Sequence, residues 1–350
     1  MSETKPKALL AQASRDMAGA FSARLCAIGV ELGIFKDLDQ NGRSTSEQIA
    51  TRMRLNERYL REWLHGIVLS GYVEFDKTTR EAWLSAQQAQ ILVDEGGRFA
   101  QYGAFKLLNS ALLPYDKLLA AFRDGGGIGF EEYPPALWEA LDHTGCSRYR
   151  HFLINDWLPH VPSLVKKLSN GASFADFGCG TGRSTVELAK RFPSSNFVGY
   201  DAFLPNIDKA DENARSAGAG GNITFKHWNM AEGSPGKYDI VACFDLIHDL
   251  PDPELGLRVI QESMNQGGLF LLMDIEAEDD PVDNDGPFGV FKLGISLHFC
   301  MTTSMWQGGQ GLGTVGLPET VLRDMSQKAG FSKVSKLDIH HPLNSLYLIE

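Results

Sequence analysis

From residue 171 onward the sequence alternates strand-like with helix-like stretches, and that rhythm restricts the possible folds more than any other feature. Short apolar, β-prone runs at 173–177, 196–200, 223–227, 238–244 and 269–274 are separated by helical stretches at about 182–192, 206–217 and 254–265. Strands linked through helical crossovers pair in parallel, with helices covering both faces of the sheet. The end breaks the rhythm. Runs at 334–339 and 345–349 are joined only by a short turn over 340–344, which includes His340 and His341. That spacing suits a hairpin, so the last strand is expected to run antiparallel. The predicted class is α/β, a Rossmann-like sheet with an antiparallel last strand, preceded by an α-rich region.

The first strand-to-helix junction reads Asp176-Phe177-Gly178-Cys179-Gly180-Thr181-Gly182. Glycines belong there because the backbone must turn tightly and let a ligand approach, with the amino end of the next helix facing that ligand. Asp201 follows at the end of the next strand, 21 residues after Gly180. An acid at that distance can hold ribose hydroxyls, in a dinucleotide or in S-adenosylmethionine. The third glycine discriminates. The dinucleotide fingerprint places a glycine where this chain has Arg183, so the spacing here is GxGxG and no pyrophosphate site is implied.

Upstream, Leu9, Leu10, Met17, Phe21, Leu25, Ile28, Leu32 and Phe35 recur at helical spacing, interrupted by Gly29 and Gly33. Ser44-Thr45-Ser46-Glu47 opens a second helix, Asn56 opens a third from Glu57 to about Leu69, and a hairpin follows through 72–84. Helix, helix and hairpin in that order is a winged-helix pattern. The expected organisation is therefore a winged-helix domain over 1–85, a helical, aromatic-rich bridge over 86–165, and an α/β domain over 166–350.

The stretches DFGCGTG, VGYDAF and YDIVACFDLIHDLPDP together resemble the motif series of class I S-adenosylmethionine-dependent methyltransferases. With the N-terminal winged helix, the layout resembles small-molecule O-methyltransferases and bacterial enzymes of the same two-part design. The resemblance implies S-adenosylmethionine as cofactor and assigns roles. Gly178, Gly180 and Gly182 pass under the methionine part, Asp176 orients its amino group, and Asp201 holds the ribose with Phe203 nearby. Asn229 and Met230 flank the adenine, Asn229 standing where the family often has an aspartate. Phe244 and Asp245 open the loop facing the reactive sulfur. His248 stands where those O-methyltransferases carry a general base, although Leu250 replaces their usual tryptophan. Asp274 stands where they carry a glutamate that orients the base.

Methyl transfer from a sulfonium is a displacement on an activated donor, so alignment is the main task and a hydroxyl acceptor also needs a base. His248 and Asp274 are the catalytic candidates, and Asn344 is a further residue expected to face substrate. Tyr133, Trp138, Trp157, His298, Met301 and Trp306 are candidates to line the substrate pocket. The acceptor is expected to be a small organic molecule, methylated on a hydroxyl; an N- or S-methyltransferase working by alignment alone, or a catalytically silent regulator that binds the cofactor, are the alternatives. Asp274 to Asp285 holds seven acids in twelve residues, a solvated loop or a lid for a cationic substrate.

Charge and composition bound the rest. The net charge is −11; residues 1–100 are neutral, and the remainder carries the excess. No domain-scale basic footprint for nucleic acid follows from this. The third helix carries Arg58 and Arg61 against Glu57 and Glu62, while Tyr59, Leu60, Trp63 and Leu64 favour packing, so a homodimer is expected and DNA reading is not. The five cysteines are scattered without a CxxC, which suggests reduced thiols and no zinc or other metal site. No apolar run reaches a membrane span and no signal core is evident, so a cytoplasmic protein is expected.

Overall fold

The computed structural model describes residues 4–339 and 341–350 and divides the chain into two compact units, one of residues 1–110 with 134–147 and the other of 111–133 with 148–350. The stretch 86–165 is thus shared between the units. His340 lies outside the described residues.

In the first unit, the helical spacing from Leu9 to Phe35 is divided between a helix Thr4–Glu31 and a second helix, Ile34–Asn41. The break falls at Gly33, whose φ of 73° is a left-handed conformation that glycine adopts without strain. The helix Ser46–Met53 starts at Thr45 with a capping box to Gln48, and the helix Glu57–Leu69 starts on the Asn56 side chain. Two short antiparallel strands, β1 (Glu74–Phe75) and β2 (Ala82–Trp83), form the wing. Phe35 and Trp63 pack with ring centroids 5.4 Å apart, and Trp63 donates its indole N–H to the Leu25 carbonyl at 2.8 Å.

The second unit carries the sheet. Its strands are β3 (Ser173–Phe177), β4 (Asn196–Asp201), β5 (Ile223–His227), β6 (Tyr238–Phe244), β7 (Met264–Ile275), β8 (Val334–Leu337) and β9 (Asn344–Ile349), in spatial order β5-β4-β3-β6-β7-β9-β8. The first five pair in parallel, and β9 runs antiparallel between β7 and β8, as the terminal hairpin requires. Helices Arg183–Arg191, Leu204–Ser216 and Pro253–Glu262 fall between strands where the alternation places them. One apolar layer gathers Phe174, Phe197, Leu188 and Leu271, and the other gathers Phe177, Tyr200, Ile260 and Phe270. The strand order reverses beside β3, so the carboxyl ends of β3, β4 and β6 open onto the crevice where such sheets bind ligands. No single helix among the described residues is long and apolar enough to cross a membrane.

Candidate active site

The glycine turn leaves β3 with Gly178, Gly180 and Gly182 all at positive φ (71°, 54° and 74°). The three glycines answer to different needs. A Cβ on Gly178 would meet the Leu246 side chain at 2.7 Å, and one on Gly182 would meet the Phe225 ring at 2.5 Å. A Cβ on Gly180 would meet nothing within 4 Å among the described residues. Its backbone therefore presents an open face, the position from which a ligand can lie against the chain.

Asp201 ends β4 and fixes that turn. Its Oδ2 accepts the Gly180 backbone N–H at 2.8 Å, and its Oδ1 accepts the Phe203 N–H at 2.9 Å and the Asn206 side-chain amide at 3.2 Å. A carboxylate has about four acceptor positions. Three are taken by protein donors, which leaves one open. Asp176, at the end of β3, is fully buried; its Oδ2 accepts from Ser184 Oγ at 2.6 Å and Thr185 Oγ1 at 2.7 Å. Its Oδ1 is buried without a partner among the described residues. Burial pushes the Asp176 carboxyl up to about 6, against the two hydroxyl donors that favour its charge.

Asn229 follows β5 and is exposed, with Oδ1 accepting the Ala231 N–H at 2.9 Å as the cap of a single helical turn. Met230 is buried in the layer with Phe177 and Tyr200. Phe203 is half-buried, its ring 6.3 Å from that of Phe130. Phe244 is buried at the end of β6, its ring 5.6 Å from that of Tyr149. Asp245 then takes a φ of 54°, uncommon for a residue with a side chain. Two contacts hold it: Oδ2 pairs with the Arg148 guanidinium, and Oδ1 accepts the Asn344 amide at 3.0 Å. Asn344, expected to face substrate, is buried and supports this loop. Arg148 was not foreseen; it opens a π-helical segment, Arg148–Trp157, and its only sequence signal is the basic run RYRH.

His248 is 2% exposed, on a short turn after β6. Its Nδ1 lies 2.5 Å from Asp274 Oδ1 at the end of β7. Its Nε2 lies 3.2 Å from Asp249 Oδ1. Burial disfavours the imidazolium, but Asp249 and Asp274 outweigh it and hold the His248 pKa well above the usual range. Cys300 completes the group: one ligand-type atom each of His248, Asp249 and Cys300 lies within 4.8 Å of the others. Burial, with the Asp249 charge adding, pushes the Cys300 thiol up to about 11.

The pocket-lining candidates disperse. Tyr133 donates to the His298 carbonyl at 2.6 Å and packs on Phe299, while Trp157 is buried against His341. Met301 opens the helix Met301–Trp306, and Trp306 lines a cavity with Lys117, Asp124, Gly127 and Glu132. Trp138 belongs to the first unit. Of the acidic run, Asp274 is buried and Glu276 pairs with Lys336, whereas Glu278, Asp279, Asp280, Asp283 and Asp285 are exposed.

Comparison with known proteins agrees with this architecture. Residues 20–94 match the family of Rv2258c-like winged helix-turn-helix domains, and residues 168–288 match a methyltransferase domain family. The chain is 31% identical over 109 residues to trans-aconitate 2-methyltransferase of Deinococcus radiodurans, covering 31% of this chain and 40% of that one. It spans less than half the length of the first curated relatives it matches. Among solved structures, the mitomycin 7-O-methyltransferase MmcR aligns with a TM-score of 0.72 at 19% identity over 99% of both chains. Human N-acetylserotonin methyltransferase in complex with SAM aligns with 0.72 at 15% identity, over 100% of this chain and 99% of that one. These likenesses speak for the fold. The chain joins an N-terminal winged-helix domain to a methyltransferase domain.

Proposed function

We propose that this chain transfers a methyl group from S-adenosylmethionine to a hydroxyl of a small organic molecule. The observation that carries the reading is the cradle at the ends of β3 and β4, where Asp201 fixes the Gly180 amide and the Gly180 face stays open. The residues present fit the cofactor. Asp201 keeps one acceptor position for a ribose hydroxyl, and the unpartnered Asp176 Oδ1 suits an amino group. Phe203, Asn229, Met230, Phe244 and Asp245 are the further contacts proposed. When bound, the cofactor supplies an electrophilic methyl.

On the acceptor side, His248 takes the hydroxyl proton and Asp274 orients its ring from behind. That role requires Asp249 to turn away from Nε2. The covered nitrogen also favours a second reading, in which an amine or thiol acceptor needs only alignment. Relatives and neighbours named as O-methyltransferases support the hydroxyl. Titration calorimetry tests the cofactor assignment: S-adenosylhomocysteine should bind and NADH should not, and the reverse result overturns the reading.

We also propose that the chain forms a cytoplasmic homodimer. Leu10, Met17, Phe21 and Ile28 line one face of the helix Thr4–Glu31, and each is more than 40% exposed. Exposed apolar side chains in this number, with Arg24 among them, suit a partner surface. In the helix Glu57–Leu69, Arg58 and Arg61 pair with Glu62 and Glu57, which argues against phosphate contacts. Light scattering should give twice the chain mass for the wild type and the single chain mass for Phe21→Asp; a monomeric wild type overturns the dimer.

A further inference from the structure

At the end of β6 the chain makes a turn that a residue with a side chain rarely makes. Asp245 takes a φ of 54°, and such a conformation persists only where the surroundings hold it. The holding is done largely by the start of the π-helical segment Arg148–Trp157. The Arg148 guanidinium pairs with Asp245 Oδ2, and the Tyr149 ring packs on Phe244 with centroids 5.6 Å apart. Asn344 Nδ2 donates to Asp245 Oδ1 at 3.0 Å, and the Asp245 N–H donates to the Met273 carbonyl at 2.9 Å. Burial pushes the Asp245 carboxyl up and the Arg148 charge opposes this; the more distant Asp274 and His248 charges act on it with opposite signs.

The turn lies against the glycine cradle. Asp176 pairs in register with Ala242 on β6, which carries Phe244 and Asp245 toward the level of Gly178. Leu246, the next residue, crowds the space that a Gly178 Cβ would need. Burial pushes the Tyr149 phenol up; Arg148 opposes this, and Asp245 and Asp176 both add to it, so the two carboxyls act on one ring.

We propose that Arg148 is a positioning residue for the methyl donor: it holds Asp245 in place and offsets its charge beside the sulfur centre. The inference rests on the proposed cofactor and on Asp176 Oδ1 as the partner of its amino group. A short aliphatic chain ties that amino group to the sulfonium, which brings the sulfonium charge toward the Arg148–Asp245 pair. Methyl transfer returns the S–CH3 bonding electrons to sulfur and takes the positive charge off it. A bare carboxylate there would favour the charged donor over a transition state in which that charge is fading, and only interactions stronger in the transition state speed the step. It would also hold S-adenosylmethionine more firmly than the uncharged S-adenosylhomocysteine. Arg148 makes the pair neutral and removes both effects.

The test is the ratio of S-adenosylmethionine to S-adenosylhomocysteine affinity, measured by titration calorimetry on the full-length protein at about pH 8. Arg148→Met leaves the carboxylate bare and should raise the ratio in favour of S-adenosylmethionine by about tenfold. Asp245→Asn leaves the guanidinium bare and should lower it by about tenfold. Arg148→Lys keeps the charge and should keep the wild-type ratio. A merely structural role would weaken both ligands alike, and neither charge-changing variant would move the ratio. Asp245→Asn is nearly isosteric, so it decides the matter even where Arg148→Met does not fold. An unchanged ratio in Asp245→Asn, or shifts of the same sign in both variants, overturns the inference. If the wild type binds neither ligand, the cofactor reading fails and this inference falls with it; wild-type binding with an unmoved ratio in the variants sinks this inference alone.

Discussion

The proposed cofactor cradle and the proposed acceptor edge lie on the same sheet, yet they are built on opposite plans. The cradle is mostly backbone. Its turn is fixed by amides and by one carboxylate only 21 residues away, and its open face is left by a glycine. The acceptor edge is almost all side chain. Arg148 meets Asp245 across 97 residues, Asn344 meets Asp245 across 99, and His248 meets Asp274 across 26. A cradle of the first kind suits a ligand that stays the same. An edge of the second kind can change its acceptor by changing a few side chains, because no backbone turn depends on them.

The largest effect separating the two regions is expected at His248. If it takes the acceptor proton, His248→Ala should lower turnover by about a hundredfold to ten-thousandfold. S-adenosylhomocysteine affinity should stay within a few-fold of wild type, because the ring's polar partners, Asp274 and Asp249, lie outside the glycine turn and Asp201. The loss should shrink at high pH, where the acceptor ionises unaided. His248→Asn keeps a polar side chain without this basicity, and near-wild-type turnover in that variant would eliminate the base.

The reverse pattern is expected in the cradle. Asp201→Ala removes a charged acceptor and should weaken S-adenosylhomocysteine binding by about 1.5–3 kcal/mol, roughly ten- to 150-fold in Kd. Calorimetry on wild type and variant reads this directly, and equal affinities would sink the ribose assignment. The protein should also lose stability, because the Gly180 and Phe203 amides lose their acceptor.

A third, smaller effect follows from Asp176. Its folded pKa of about 6 lies above the unfolded value of 3.8. The ionised form therefore costs stability above pH 6, and protonation relieves that cost as pH falls. A ligand amino group facing Oδ1 favours the ionised carboxylate, so ligand binding should run opposite to intrinsic stability. Affinity for S-adenosylhomocysteine should drop about tenfold from pH 7 to pH 5, and Asp176→Asn should flatten that slope. An unchanged slope in the variant would remove Asp176 from the cofactor site.

The same contrast explains how much could be read from sequence. Strand periodicity, the glycine turn and Asp201 are local signals, and they fixed β3 to β7 and the cradle. The winged-helix caps at Thr45 and Asn56 were legible for the same reason. The break at Gly33 was visible as a glycine but was outweighed by the apolar spacing running through it. Asn344 was singled out but for the substrate side, and the roles of Arg148, Asp249 and Cys300 were not legible, because these residues come together through tertiary contacts. Seven acids within twelve residues looked like one feature, yet the fold buries Asp274, pairs Glu276 and exposes the rest.

The smallest expected effect lies at the far end of the cradle. The family often has an aspartate where this chain has Asn229, which raises the question whether the missing charge matters. The structure gives Asn229 a task of its own, since its Oδ1 caps the turn through the Ala231 amide while its backbone N–H is taken by Glu232. Aspartate caps as well as asparagine, so Asn229→Asp should leave thermal stability within about 0.5 kcal/mol. An exposed carboxylate accepting from the adenine amine adds one charge-assisted hydrogen bond, screened by water, and the gain in S-adenosylhomocysteine affinity should be no more than about threefold. Asn229→Ala removes the cap and should cost about 1 kcal/mol of stability. If Asn229→Asp instead raised affinity tenfold or more, the adenine end would depend on a side chain as strongly as the acceptor edge does. The division between a backbone-built cradle and a side-chain-built edge would then fail at this point.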